Sequence, residues 1–213
     1  MSITDYLDNL NKNNFFYDFY NEILSFENIH FIPAVRFETA LFLYNTTFLN
    51  KPLTILEIGF GSGVSSFFIN KGLIDSKIMP NSFISLERDN NRFNRGKRLI
   101  EKYNYKNIEL LNIDAFYFLS QCKNGFDFIF LDAVKREYIQ YLEKLKTILN
   151  KNGILICDNI LFNGKIVEEN ISPKYKNGVT LLKEFNDTIC KDKELNTFFY
   201  NIGDGLSLSI KID

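Results

Sequence analysis

The sequence is short of the residues on which several kinds of chemistry depend. Its 213 residues include one histidine, His30, and three cysteines, Cys122, Cys157 and Cys190. The cysteines have no paired spacing. They read as reduced thiols of a cytoplasmic protein, and they supply neither a disulfide framework nor, with the lone histidine, a zinc site. No apolar run is long enough to span a bilayer, which argues against a membrane role. The N-terminus, MSITDYLDNL, is acidic and lacks a basic segment followed by an apolar one, so it does not read as a signal peptide. Net charge is −1. No global attraction to nucleic acid or anionic membrane is expected, and only a local basic patch would supply one. There is no linker rich in Pro, Gly and Ser, and no internal repeat. The length fits one large domain, or one domain with an extra helical arm.

What the chain does have is alternation. Short apolar runs read as strands: LTILEIG (53–59), SFISLE (82–87), IELLNI (108–113), FDFIFLD (126–132) and GILICDN (153–159). Longer stretches between them read as helices at about 64–72, 89–103, 115–122 and 135–149. In the last, Ile139, Leu142, Leu145, Ile148 and Leu149 recur at helical spacing. Continuous apolar strands separated by helices imply a parallel sheet covered on both faces, wound by right-handed crossovers. A further helix is expected at 179–190. TFFYNIGDGLSLSIKI then reads as a hairpin around Gly203-Asp204-Gly205. Ahead of the sheet, 14–26 and 34–49 read as helices of a lid.

The stretch ILEIGFGSGVSS carries Glu57 on the first strand and then Gly59, Gly61 and Gly63. Glycines permit positive φ and let a ligand approach the backbone, and ligands of open α/β sheets sit at such strand ends. Val64 stands where a dinucleotide fingerprint needs its last glycine. A carboxylate would repel a pyrophosphate but suits a cationic ligand. S-adenosylmethionine has no phosphate, and it carries a sulfonium and an ammonium group. Glu87 at the end of the second strand is placed to accept hydrogen bonds from ribose hydroxyls. Asp114, after the third strand, either meets the adenine or caps the helix beginning near Ala115.

The fourth and fifth strands end in FLDAVKREY and ICDNILFNG. Asp132, Asp158 and Asn159 then converge at one sheet edge if these strands are neighbours. Two carboxylates and an amide oxygen form a hard, all-oxygen set that suits Mg²⁺. Helix capping is the alternative role for each aspartate. Lys135 lies at the mouth of the same site, in the first turn of a helix, where the dipole disfavours a cation and a role in proton transfer is favoured.

ILEIGFGSGVSS, ISLERD, FDFIFLDAVKREY, CDNILFNG and NIGDGLSLSIK together resemble the cation-dependent class I O-methyltransferases, the group that includes catechol O-methyltransferase. The resemblance covers about residues 30 to 213. DNILFNG and IGDGL are most similar to small bacterial members, some of which methylate 5-hydroxyuridine in tRNA. It implies a Rossmann-like α/β fold with a seven-stranded, mostly parallel sheet and a C-terminal antiparallel hairpin strand. It further implies an N-terminal helical lid and dimer arm (1–50) on an S-adenosylmethionine-binding domain (51–213). By resemblance, Val35, Glu57, Gly59, Gly61, Ser65, Glu87, Asp114, Ala115 and Asp132 contact the cofactor. Asp132, Asp158 and Asn159 bind the metal, and Lys135 with Asp132 is catalytic. Ala133 and Val134 replace the bulky side chains that catechol-specific animal enzymes carry at those positions, so the acceptor pocket differs. The expected acceptor has two neighbouring oxygens, as in tRNA 5-hydroxyuridine or a small catechol-like phenol. A homodimer is expected.

Other residues attract plainer readings. His30 reads as packed or half-exposed, and Cys157 as core. The aromatic cluster FFYDFY (15–20) is a packing or dimer face, or else a platform for stacked bases. Lys165, Lys174, Lys176 and Lys183 are a solvated set or a basic rim that a tRNA would need. Two rival functions remain. An NAD(P)-dependent oxidoreductase is opposed by Glu57, Val64 and the lack of a hydride-transfer pair. A non-catalytic binding protein is opposed by the intact Asp132, Lys135, Asp158 and Asn159.

Overall fold

A computed structural model describes residues 3–28 and 32–212 of the chain. His30 lies outside them. Helices α1 (Ile3–Lys12), α2 (Phe16–Ser25) and α3 (Phe37–Asn50) come first. The alternating part follows as β1 (Thr54–Ile58), α4 (Val64–Asp75), β2 (Ser82–Leu86), α5 (Asn90–Tyr103), β3 (Glu109–Leu111), α6 (Ala115–Gln121), β4 (Phe126–Leu131), α7 (Tyr138–Ile148) and β5 (Leu149–Asp158). The chain ends in α8 (Pro173–Lys191), β6 (Leu195–Tyr200) and β7 (Leu206–Lys211). The sheet has seven strands, as the class I resemblance implied, and their order is β3-β2-β1-β4-β5-β7-β6. β1 to β5 run parallel, and β7 pairs antiparallel with both β5 and β6. β1 leads outward to β2 and β3, and the chain then returns to place β4 on the other flank of β1. The carboxyl ends of β1 and β4 therefore form the switch point, where a crevice opens.

Strand alternation builds two cores. Ile55, Phe128, Phe130 and Ile156 face α3 and α4, whereas Leu56, Ile58, Ile129, Leu131 and Leu155 face α7 and α8. Both sets are at most 1% exposed. Each such side chain contributes roughly 1.5–3 kcal/mol by burial. Phe16 and Ile23 of α2 and Phe37, Ala40 and Leu43 of α3 join the first core, beside Phe67 and Phe68 of α4. The aromatic run 15–20 is therefore mostly a packing face: Phe16, Phe19 and Tyr20 meet Phe68, and Tyr17 meets Phe37. Cys157 is buried in the second core, as expected. Among the described residues, no helix is long and apolar enough to cross a membrane.

Several boundaries differ from expectation: α3 begins at Phe37 rather than 34, and β3 is only Glu109–Leu111. Residues 135–137 form a separate 3-10 turn before α7, and Leu149 already belongs to β5. β5 reaches back to Leu149 because a register shift opposite Phe126–Phe128 absorbs the polar residues 150–153. α8 starts at Pro173 rather than near 179, since proline at the first helical position presets the needed φ although its first turn is polar. α1 has no counterpart in the sequence reading.

Candidate active site

The crevice at the switch point is a cavity of about 500 Å³. One wall is the strap Pro33–Arg36, the floor is the glycine turn 59–62, and the rest comes from the tips of β2, β4 and β5. At Gly59, φ is +103°, and a Cβ would sit 2.1 Å from the carbonyl oxygen of Asp132. The backbones leaving β1 and β4 thus touch, which only glycine allows. Glu87 closes the turn from the side. Its Oε2 accepts the Gly61 N–H at 3.0 Å and its Oε1 accepts the Asp89 N–H at 2.8 Å. It is 5% exposed and lines the cavity. Val35 lines the cavity from the strap, and its carbonyl accepts the Tyr20 hydroxyl at 3.0 Å.

Val35, Gly59, Gly61, Ser65, Glu87, Asp114, Ala115, Asp132, Lys135 and Asn159 all line this one cavity. Two expected residues do not. Glu57 is completely buried beneath the floor, where its carboxylate accepts hydrogen bonds from Ser65, Ser66 and Ser85. It is not an acid at the rim. It shares the β1 face of Ile55, and strand alternation aims it at the first turn of α4 rather than at the crevice. Burial pushes its carboxyl up to about 7 despite the three serines. Asp158 is 1% exposed and sits directly behind Asn159, its Oδ1 accepting the Asn159 N–H at 2.7 Å. Asp114 takes the capping role: its Oδ1 accepts the N–H groups of Phe116 at 2.9 Å and Tyr117 at 3.4 Å. It borders the cavity as well.

Lys135 Nζ lies 2.5 Å from Asp132 Oδ1 and donates to the Tyr138 hydroxyl at 3.1 Å. The Tyr138 phenol is fully buried and lies 3.1 Å from the carbonyl oxygens of both Leu131 and Asp158. One hydroxyl therefore ties the ends of β4 and β5 to the lysine. Burial, and then the neighbouring Asp132 carboxylate, hold Asp158 well above the usual carboxylate range. A divalent cation between Asp132, Asp158 and Asn159 would remove that conflict, so the donor chemistry fits a hard cation. The site offers two carboxylates and one amide. Among the described residues no group of three or more His, Cys, Asp or Glu is arranged to hold a metal ion.

The sequence reading missed several cavity residues. Asp204 is 8% exposed, lines the cavity, and accepts the Asn163 N–H at 2.7 Å. In the sequence it stands out only as part of the GDG hairpin turn. Phe162 and Asn163 also line the cavity, both with left-handed backbone (φ 52° and 53°). Arg36, Arg88 and Arg92 add positive charge to the wall. A basic residue beside a strap or after a strand-end acid was the available signal.

A family model described as O-methyltransferase matches residues 31–212. The chain belongs to the O-methyltransferase family. Its members are S-adenosylmethionine-dependent enzymes. The tapetum-specific methyltransferase 1 of Arabidopsis thaliana is 29% identical over 182 residues, covering 82% of this chain and 76% of the relative. A caffeoyl-CoA O-methyltransferase of Stellaria longipes is 24% identical over 171 residues, covering 76% and 69%. The crystal structure of an S-adenosylhomocysteine-bound methyltransferase, PaMTH1 of Podospora anserina, superposes with a TM-score of 0.85 at 24% identity, covering 99% of this chain and 95% of that one. The O-methyltransferase fold thus extends over the N-terminal helices as well.

Proposed function

We propose that this O-methyltransferase uses S-adenosylmethionine and a divalent cation, Mg²⁺ first, to methylate a hydroxyl oxygen that has a second oxygen beside it. The observation that carries the reading is the convergence of Asp132, Lys135 and Asn159 on the cavity above the glycine turn, with Asp158 directly behind. The cofactor supplies an electrophilic methyl group on a positively charged sulfur. A cation held by Asp132, Asp158 and Asn159 would lower the pKa of the acceptor hydroxyl. Gly59, Gly61 and Ser65 form the floor on which the methionine portion rests. Glu87 and Ala115 bound the adenosine end. Lys135, steadied by Asp132 and Tyr138, is placed to receive or shield the hydroxyl proton. The protein's main contribution is to hold both reactants at attack distance with water displaced.

The leading acceptor is 5-hydroxyuridine in tRNA, whose 5-hydroxyl and 4-carbonyl supply the oxygen pair. It is supported by a cationic aromatic group near Phe162 of the cavity wall. Tyr175 lies 6.0 Å from the Phe162 ring, with Lys165 and Lys174 ammonium groups 5.1 and 4.5 Å from its own centroid. A stacked base and its phosphates would find both partners there. A small catechol-like phenol is the second reading, favoured by the caffeoyl-CoA relatives. Residues 1–50 act as lid and dimer arm on the 51–213 domain in a cytoplasmic homodimer. The exposed Tyr6, Leu7, Leu10 and Phe15 supply its apolar contact. Mass spectrometry of tRNA nucleosides from a deletion strain tests the acceptor: loss of 5-methoxyuridine-type nucleosides is expected. An unchanged profile would transfer the assignment to the phenol.

A further inference from the structure

Arg95 sits on α5 in the stretch NNRFNRGKRLIEKY and is 2% exposed. Its Nη1 donates to the Ser62 carbonyl at 2.7 Å. Its Nη2 donates to the carbonyls of Ile23 and Phe26 at 3.0 and 3.2 Å, and its Nε to Phe26 again at 3.3 Å. Each of these acceptors is a backbone carbonyl. A buried cation is tolerated here because three carbonyl dipoles share its charge. The planar guanidinium offers five N–H groups in a fixed fork that reaches all three carbonyls, whereas an ammonium offers three donors from a single point.

Those segments are the glycine turn, through Ser62, and the N-terminal arm, through Ile23 and Phe26. The same arm holds the strap through the Tyr20 hydroxyl and the Val35 carbonyl. The neighbouring Gly96 lets α5 come close enough to grip: a Cβ there would lie 2.6 Å from the Phe60 ring. Two exposed ion pairs, Arg98–Glu27 at 2.6 Å and Lys102–Glu22 at 2.9 Å, fasten the arm from outside. Such pairs add little on their own.

We propose that Arg95 is a positioning residue for cofactor binding, which locks the glycine turn and the N-terminal arm into one unit. A ligand seated between the turn and the Val35 strap then tightens the arm, and a loosened arm weakens the ligand, because coupling between sites is reciprocal. The inference rests on the family's use of S-adenosylmethionine, and on neither the metal nor the acceptor.

The test combines calorimetric titration of S-adenosylhomocysteine with amide hydrogen exchange, run well below the melting temperature, on the full-length wild type, R95K and E22A/E27A. In the wild type, the ligand should slow exchange at 20–28 as well as at 59–63. R95K should raise the Kd roughly tenfold and abolish the protection at 20–28. E22A/E27A should keep the Kd within about twofold and keep that protection. A lowered melting temperature with an unchanged Kd in R95K would make Arg95 merely structural and overturn the proposal. So would a wild-type arm indifferent to the ligand, or loss of its protection in E22A/E27A, and these two decide the matter even if R95K does not fold. Failure of the wild type to bind the ligand at all would remove the cofactor reading, and the proposal with it.

Discussion

Replacing Glu57 by glutamine should flatten part of the protein's pH–stability profile. The carboxyl is completely buried, and burial lifts it from the usual 4.5 to about 7 in the folded chain, with Ser65, Ser66 and Ser85 opposing and Asp132 adding a little. A folded pKa raised above the unfolded one stabilises only while the group holds its proton. The contribution is complete below about 4.5 and is lost as pH rises through 7. Across that window the unfolded chain has released the proton and the folded chain has kept it, so stability falls by about 1.4 kcal/mol per pH unit. The whole loss is about 3 kcal/mol, an upper figure for one buried group. The glutamine side chain would be neutral at every pH and still reach the three hydroxyls. Urea denaturation of both proteins, at steps from about pH 4.5 to about 8.5 without metal, gives the difference directly. Asp158 titrates in both and cancels. The stability of E57Q relative to wild type should rise by about 3 kcal/mol across the series. A difference that stays flat would mean that Glu57 is ionised across the whole range and that the three serine hydroxyls outweigh the cost of its burial.

Tyr138→Phe removes the one hydroxyl that joins Leu131, Asp158 and Lys135. It should cost about 1–3 kcal/mol in denaturant unfolding and lower kcat by roughly tenfold, with Kd for S-adenosylhomocysteine unchanged. An unaltered kcat would remove Lys135 orientation from the mechanism. Gly59→Ala places a methyl group against the Asp132 carbonyl at positive φ, so thermal unfolding should show a loss of at least about 3 kcal/mol and cofactor binding should fail. Lys165→Glu with Lys174→Glu should reduce methylation of tRNA about tenfold and flatten its salt dependence, while a small catechol is methylated as before. Equal losses on both acceptors would argue against a phosphate-binding rim.

The parts of the site that lie along single strand ends were legible in the sequence. An apolar run broken by Gly59, Gly61 and Gly63 reads as a strand leading into a turn that a ligand can approach. Asp132, Lys135 and Asn159 follow their strands by fixed short offsets. Glu57 shows where reading by proximity fails. It is adjacent to the turn in sequence, yet strand alternation sends it to the α4 face, and the serines that hold it lie on α4 and on β2. Arg95 and Asp204 were invisible for a related reason. A base on a polar helix and an acid in a hairpin turn look solvated until tertiary contacts from distant segments surround them. The polar start of α8 and the reach of β5 back to Leu149 carry no hydrophobic period, so their boundaries depend on a proline at the helix start and on a register shift.

Methyl transfer from S-adenosylmethionine to a 5-hydroxyuridine-containing tRNA anticodon stem-loop and to catechol, with EDTA and with Mg²⁺ restored, tests the central claim most directly. Transfer to one of them should vanish with the chelator, return with Mg²⁺, and fall by about a hundredfold or more in D158N, which removes one of the two carboxylates proposed to hold the cation. Full turnover in EDTA by both the wild type and D158N would contradict the assignment of Asp132, Asp158 and Asn159 to a cation.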